Sequence, residues 1–159
     1  MTPNLRIRPA ALGDLSLILR HRRRMFEDMG EGDPVALDAM EASSLKTIAR
    51  GLEDGSWRGF VAEEGGDAER RVVASGAVLI SAWPGQPQDP QPRRATILSV
   101  YTERDRRRRG IARKLMEHIL DFCRSEGLAQ VSLHASDDGR PLYEDLGFRP
   151  SNEMRLRLR

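Results

Sequence analysis

The amino-acid sequence predicts an α/β protein: a single domain over residues 1–159, built on one central mixed β-sheet with helices on both faces. Three observations support this α+β arrangement. The chain of 159 residues has the length of one ordinary domain. Helical and strand-like periodicities follow one another in the order strand, two helices, three strands, helix, strand, helix, strand. Hydrophobic residues make up 39% of the chain, yet no apolar run approaches the ~20 residues that span a bilayer.

The first third of the chain is predicted to form one strand and two helices. Residues 5–8 form a short strand, and the helix that follows is capped by Asp14 and ended by Gly30. Asp33 before Pro34 places a capping side chain in front of a proline at the first helical position. A second helix is therefore expected to run to about Glu53.

Three strands follow, and a proline-rich loop separates the last two. Residues 57–63 and 71–81 alternate as strands, with a hairpin-type turn at residues 64–67. Four prolines lie in residues 83–92 (WPGQPQDPQP), which predicts an exposed loop, because proline cannot donate to a sheet. Residues 94–102 form the fourth strand.

The last third is predicted to contain the clearest helix, a fifth strand, a short helix and a sixth strand. Gly127 ends the clearest helix, whose apolar stripe is Ile111, Leu115, Ile119 and Phe122. Residues 130–135 are the fifth strand and residues 140–146 the short helix, ended by Gly147. Residues 154–158 alternate as the last strand.

Charge and cysteine content exclude several classes of protein. The 26 basic and 24 acidic residues give a net charge of +2, and only Lys46 and Lys114 are lysines. Arginine is thus abundant throughout, and a basic run is more often a solvated surface than a nucleic-acid footprint. Cys123 is the only cysteine, which excludes an internal disulfide and suits a reducing cytoplasm. Residues 1–9 lack the apolar core of a signal peptide. No metal site is predicted, since His21 and His118 lack metal-like partners.

The segment after the fourth strand is predicted to bind an anion. It is rich in arginine from residue 106 to residue 109 and then opens the clearest helix. The first turn of a helix has unpaired N–H groups and the positive end of the helix dipole, which attract phosphate. Gly110 and Ala112 leave room for a pyrophosphate beside the backbone, and Arg107 adds directional donors. Neither a GxxxxGK(S/T) nor a GxGxxG pattern occurs, which excludes a P-loop and a Rossmann fingerprint.

Residues 100–112 (VYTERDRRRRGIA) resemble the cofactor motif of the GCN5-related N-acetyltransferases. That motif is Arg or Gln, two residues, Gly, one residue, then Gly or Ala. Arg107, Gly110 and Ala112 occupy its fixed positions. The family's second motif is matched at the usual distance by residues 131–135 (VSLHA) and 142–148 (LYEDLGF). The order of elements is similar over residues 5–158, so the resemblance implies the family's acyl-CoA N-acyltransferase fold and acetyl transfer to an amine.

The chain departs from these motifs at several positions. Arg104, Arg106 and Arg108 stand where a proline, an aromatic residue and a glycine are common. Ser136 and Gly139 replace an asparagine and an alanine of the second motif. Arg108 could grip a phosphate or crowd the pyrophosphate, and the residues alone leave both readings open.

The resemblance implies acetyl-CoA as the cofactor and a place for it. In the family the fourth and fifth strands splay apart, and pantetheine binds along the open edge of the fourth, which makes Val100 and Thr102 its backbone partners. The implied cofactor-binding set is Val100, Tyr101, Thr102, Arg107, Arg108, Arg109, Gly110, Ile111, Ala112, Arg113, Ser136 and Tyr143.

Tyr143 matches the family's general acid, because a phenol can give a proton to a departing thiolate. Packing beside Phe148 is the alternative role of this tyrosine. The general base stays open among Glu27, Asp28, Glu103, Glu153 and His134. The family commonly builds its acceptor pocket at the end of the first helix, where the candidates are Met25, Phe26, Glu27 and Met29. Met25, Phe26 and Met29 are at helical spacing, where such residues are more often part of the core.

The acceptor is expected to be a small-molecule or peptide amine of unknown identity. Two other functions stay open: an acyl-CoA-binding sensor without catalysis, and a nucleic-acid binder that uses residues 104–109 as a phosphate patch. No interleaved aromatic residues for base stacking accompany that patch, so we expect no nucleic-acid partner, and no membrane partner either. Homodimers are common in the family, and the residues leave the oligomeric state open.

Overall fold

The computed structural model describes residues 4–159 and contains a five-stranded sheet in the order β1-β2-β3-β4-β5. The strands are β1 Leu5–Pro9, β2 Trp57–Gly66, β3 Glu69–Ala82, β4 Arg93–Thr102 and β5 Val131–Leu133. The helices are α1 Leu15–Asp28, α2 Pro34–Asp54, α3 Ile111–Ser125 and α4 Arg140–Asp145, with 3-10 turns at Leu12–Asp14 and Arg104–Arg106. Strands β1 to β4 pair antiparallel and β5 joins β4 in parallel, which confirms the predicted mixed sheet.

Helices cover both faces of this sheet, as the sequence predicts. One face packs against the apolar stripe of α3, and the other packs against α1 and α2. Successive side chains of a strand point to opposite faces, so the central strands β2 and β3 are buried on both. The α3 side buries Val73, Val78, Ile97, Leu115 and Ile119, and the α1–α2 side buries Ile18, Leu19, Ile48, Trp57 and Ala77.

The two predicted aspartate caps have different outcomes. Asp33 caps α2 as predicted, since its carboxylate accepts a hydrogen bond from the Ala36 N–H at 2.8 Å. Asp14 makes no capping bond to α1, and that prediction is wrong. Its carboxylate instead accepts from the Ala11 N–H at 2.8 Å and from the Arg8 guanidinium at 2.9 Å. The Asp14 carboxylate is therefore bound by Arg8 and by the 3-10 turn before α1, and not by the first N–H groups of α1.

The β2–β3 hairpin turns three residues later than predicted. The pairing continues through Gly65↔Arg70 and Gly66↔Glu69, so the predicted turn at residues 64–67 becomes a tighter turn at Asp67 and Ala68. Gly65 has φ +124°, and a Cβ there would lie 2.1 Å from the Glu69 carbonyl oxygen. Glycine at this position therefore allows the strand to run on into the turn.

The fifth strand and the chain after α4 differ most from the prediction. β5 has three residues instead of six, and residues 154–158 form no strand. Met154, Leu156 and Leu158 are 94%, 81% and 88% exposed. Alternation describes the side chains of a strand, but a strand also needs a neighbour for its backbone groups. Arg155 approaches β5 only through its side chain, which donates to Nδ1 of His134 at 2.8 Å.

No helix within residues 4–159 is long and apolar enough to cross a membrane. Residues 1–3 belong to the predicted domain and to the 1–9 segment that the sequence analysis considers. They lie outside the part of the chain that the structure describes.

Candidate functional site

Strands β4 and β5 pair over only three residues and then separate. The parallel pairs join residues 95–97 to residues 131–133, while β4 continues to Thr102 with β3 on its other side. The Glu103 N–H donates to the Val73 carbonyl of β3 at 2.8 Å. Backbone direction alternates along a strand, so Tyr101 also faces β3, and Val100 and Thr102 face the edge that no described strand covers. This open edge can accept an extended ligand that carries amide groups.

β4 contains a bulge next to this open edge. Ala77 pairs with Leu98 and Ser75 pairs with Tyr101, so two steps along β3 match three along β4. The bulged part of β4 contains Ser99, whose φ of 57° is in the left-handed region. Such a conformation costs on the order of 1–3 kcal/mol in a non-glycine residue and clusters at functional sites. Arg22 donates to the Ser99 hydroxyl at 2.7 Å from the opposite side.

The loop after β4 and the first turn of α3 form an anion site. Gly110 precedes the helix with φ +76°. Lys114 makes the first helical hydrogen bond, to the Gly110 carbonyl at 3.1 Å, which leaves the N–H groups of Ile111, Ala112 and Arg113 free to bind an anion. The Ile111 side chain is buried in the core at 4% exposure, so only its backbone is available to a ligand.

Most arginines around this loop are already paired with carboxylates. Arg107 donates to the Thr102 carbonyl at 2.9 Å and pairs with Asp28, as Arg104 also does. Hydrogen bonds from Arg104 and Arg107 hold the pKa of Asp28 below its ordinary value. Arg106 pairs with Glu64 and Arg113 with Asp145. Within residues 4–159, Arg108 and Arg109 have no acidic partner and are exposed, so these two guanidinium groups remain for a phosphate.

Tyr143 lies on α4, half-buried against the α3 side of the core. Its ring meets that of Phe148 edge-on at 6.0 Å, so the packing contact expected for a core tyrosine is present. Burial raises the pKa of its phenol, and the hydroxyl makes no hydrogen bond within the described residues. Gly139 closely approaches the ring, because a Cβ there would lie 2.8 Å from Cε2. Ser136 accepts from the Gly139 N–H at 3.1 Å and so shapes the same turn.

A buried polar cluster links α1 to the end of β4, and the sequence did not reveal it. His21 is fully buried, and its Nδ1 accepts from the Ser75 hydroxyl at 2.8 Å while its Nε2 donates to Glu103 at 3.2 Å. Burial lowers the pKa of His21, which favours the neutral ring that this pattern requires. Arg24 donates twice to the same Glu103 carboxylate. The one signal in the sequence is that His21 follows Ile18 at helical spacing on the buried face of α1.

The five candidate general bases all contact an arginine. Glu103 belongs to the buried cluster and Asp28 pairs with Arg104 and Arg107. Glu27 pairs with Arg23 on the surface of α1. Glu153 and His134 both contact Arg155 of the exposed C-terminal segment. Asp28 in particular is a weak proton acceptor, because hydrogen bonds from Arg104 and Arg107 lower its pKa.

The predicted acceptor residues lie at the end of α1, beside the end of β4. Asp28 holds the last turn of α1 against the loop through its pairs with Arg104 and Arg107. Phe26 is half-buried, with the Arg22 guanidinium 5.2 Å from its ring centroid. Met25 is half-buried, and Glu27 and Met29 are exposed. Arg22 thus contacts both Phe26 and Ser99 of the β4 bulge.

Neither a metal site nor a reactive thiol accompanies this site in residues 4–159. No group of three potential metal ligands occurs there. Cys123 is buried in α3, and burial raises the pKa of its thiol to about 11. A thiol with such a pKa is protonated at neutral pH and unreactive as a nucleophile.

Comparison with known proteins identifies the family of the chain. The model of the acetyltransferase (GNAT) family matches residues 20–148. A glucosamine 6-phosphate N-acetyltransferase of Trypanosoma brucei brucei is 32% identical over 90 residues, and N-acetyltransferase 8 of Homo sapiens is 24% identical over 90 residues. Each match covers 55% of this chain, but only 57% and 38%, respectively, of the length of these relatives.

Solved structures agree over nearly the whole chain. A GCN5-related N-acetyltransferase from Ralstonia eutropha JMP134 superposes with a TM-score of 0.89 at 35% identity, covering 98% of this chain and 99% of that one. A predicted acetyltransferase from Clostridium acetobutylicum, solved with acetyl-CoA, superposes with a TM-score of 0.85 at 24% identity, covering 97% and 96%. The chain belongs to the acetyltransferase (GNAT) family, whose enzymes depend on acyl-CoA and take their acetyl group from acetyl-CoA.

Proposed function

We propose that this protein is an N-acetyltransferase that moves the acetyl group of acetyl-CoA to a primary amine of a small molecule or peptide. The observation that carries the proposal is the open β4 edge that leads to the free N–H groups of α3. Family membership and the N-acetyltransferase relatives support the same reaction. A single buried cysteine, Cys123, fits a reducing cytoplasm as the place where the enzyme works.

Two parts of the chain would hold acetyl-CoA. The backbone groups of Val100 and Thr102 would pair with the pantetheine amides, as a strand pairs with a sheet edge. The pyrophosphate would accept hydrogen bonds from the first turn of α3, with Arg108 and Arg109 supplying charge. Bound in this way, acetyl-CoA would supply an activated thioester for attack by an amine.

Tyr143 is the proposed general acid of a direct transfer within a ternary complex. The amine lone pair attacks the thioester carbonyl carbon, the C–S bond breaks, and the departing thiolate takes the phenolic proton. The unused hydroxyl of Tyr143 supports this role, and its raised pKa keeps it protonated at neutral pH. The attacking amine loses its proton to water, since each candidate base contacts an arginine.

Purified protein is expected to bind acetyl-CoA in calorimetry and to release free thiol when a panel of amines is supplied. Binding without thiol release from any amine would favour an acyl-CoA sensor instead. Absence of both binding and thiol release would overturn the proposed function. An oligonucleotide that stays bound when CoA is added would show that the loop binds a nucleic acid instead. The structure does not favour that outcome, because Arg104, Arg106 and Arg107 are already paired with carboxylates.

Replacing Arg108 by glycine is expected to stabilise the fold and weaken acetyl-CoA binding. Arg108 has φ +63°, a conformation that glycine adopts without strain, so the free energy of unfolding should rise by about 0.5–1 kcal/mol. The lost guanidinium should weaken acetyl-CoA binding by about 10-fold, as loss of a charged hydrogen bond does. Thermal unfolding and calorimetry measure the two effects, with Arg109→Gly as the control that loses the same charge at a residue without a positive φ. Tighter acetyl-CoA binding by the variant would show that Arg108 crowds the pyrophosphate.

A further inference from the structure

Arg22 lies half-buried between α1, α2 and β4, and its guanidinium contacts only neutral groups. Its Nε donates to the Ser44 hydroxyl of α2 at 3.2 Å, and its Nη1 donates to the Ser99 hydroxyl of β4 at 2.7 Å. The Phe26 ring centroid lies 5.2 Å from the guanidinium carbon. No carboxylate of residues 4–159 lies within ion-pair distance of Arg22.

This absence sets Arg22 apart from the next two arginines of α1. Arg23 pairs with Glu27, Asp38 and Glu41, and Arg24 pairs with Glu103. Burial lowers the pKa of Arg22, although a guanidinium keeps its charge in proteins. Hydroxyl groups compensate only in part for removing a charge from water. The protein thus holds a partly buried positive charge without a counter-charge.

The position of this charge separates it from the pyrophosphate site. Ser99 is at the β4 bulge, next to Val100 at the open edge. From Ser99 to Thr102, where the phosphate loop begins, β4 rises about 10 Å. Arg22 also lies on the α1–α2 side of the sheet, whereas the anion site belongs to α3 on the other side. The pantetheine and acetyl parts of acetyl-CoA, which would run along β4 from this pyrophosphate, carry no charge, so an anion that reaches Arg22 would belong to the acceptor.

We propose that Arg22 binds an anionic group of the acceptor, so that the preferred substrates are amines that also carry a carboxylate or a phosphate. This inference rests on the proposed function and names the substrate class of the same site. Both oxyanions fit the planar fork of a guanidinium, and either one would supply the missing counter-charge. Phe26, which contacts Arg22, would lie beside the same anionic group.

Matched pairs of amines test the proposal. The pairs are β-alanine with β-alaninamide, and phosphoethanolamine with ethanolamine, and each pair differs only in the anionic group. The wild type should prefer the charged member of at least one pair. Arg22→Gln should lower kcat/KM for that member by about 10–100-fold, mainly through KM, since a hydrogen bond to a charged group is lost. The neutral member should change little, so the preference should disappear.

Arg20→Gln is the matched control, because Arg20 is exposed on the same helix and has no part in the site. This variant should keep the preference of the wild type, and Arg22→Lys should recover part of it. An equal loss for charged and neutral amines in Arg22→Gln would overturn the proposal, because it would mean that Arg22 only supports the β4 bulge. A wild-type preference for neutral amines would overturn it too.

A binding experiment distinguishes failure of the anion site at Arg22 from failure of the proposed acetyl transfer. If no amine is acetylated, the proposed function fails, and inorganic phosphate and acetate can be titrated calorimetrically into the protein with CoA bound. Binding of either ion to the wild type that is lost in Arg22→Gln would still support an anion site at Arg22. Equal binding to both proteins, or no binding to either, would contradict it. Thermal unfolding of each variant checks that it is folded.

Discussion

Replacing Tyr143 by phenylalanine is expected to lower kcat by on the order of 100-fold or more, the usual contribution of a general acid. Binding of acetyl-CoA should change little, because the ring and its packing against Phe148 remain. Only the proton for the departing thiolate is lost. Steady-state kinetics with a fixed amine give kcat, and calorimetry gives the dissociation constant of acetyl-CoA.

The pH profile adds a second readout for Tyr143. A general acid acts only when it is protonated, so the kcat of the wild type should fall as pH rises through the pKa of the phenol. Burial raises this pKa, which places that fall above the ordinary value of about 10. The alkaline fall should be absent in Tyr143→Phe.

Gly139→Ala tests the role of the Tyr143 phenol independently, by displacing the ring. Its new Cβ would lie 2.8 Å from Cε2 and 3.3 Å from Cζ of Tyr143, so the ring must move although its hydroxyl remains. We expect kcat to fall towards that of Tyr143→Phe. Unchanged kcat in Tyr143→Phe would assign this tyrosine to packing alone, and thiol departure would then depend on water or another group.

Replacing Glu103 by alanine is expected to destabilise the fold by about 2–3 kcal/mol. Removing one partner of a buried ion pair costs about 3–5 kcal/mol, and the side chain of Arg24 is 42% exposed, which reduces that cost through solvent screening. His21 also loses its acceptor at 3.2 Å while it stays fully buried. Urea unfolding followed by circular dichroism measures the change.

Asp105→Ala is the matched control, two residues further along the chain. Asp105 pairs with Arg71, and both side chains are about half exposed, so its loss should change the free energy of unfolding much less than the loss of Glu103. Equal effects of the two substitutions would contradict the structural role of the His21–Glu103–Arg24 cluster. Glu103→Gln should lie between them, because an amide keeps a hydrogen-bond acceptor for His21 but not the charge.

Local patterns predicted most of the fold correctly. The Asp33-Pro34 pair, the apolar stripe of α3 and Gly110 each act within a few residues, so their consequences are visible in the sequence. Two predictions were wrong, because each depended on the partner that a group finds in the folded chain. Asp14 forms an ion pair with Arg8 instead of a cap, and residues 154–158 alternate without a neighbouring strand.

The sequence by itself determined the mixed sheet, its helices, the family and the arginine-rich loop that opens α3. The loop can be predicted from the sequence, because a glycine before a helix leaves the N–H groups of the first helical turn free wherever the helix lies. Tertiary structure decided which charges remain free. Asp28 pairs with Arg107 across 79 residues, and Arg22 reaches Ser99 across 77. Pairings over such separations depend on how the elements pack, so only the folded chain distinguishes the paired Arg107 from the unpaired Arg22.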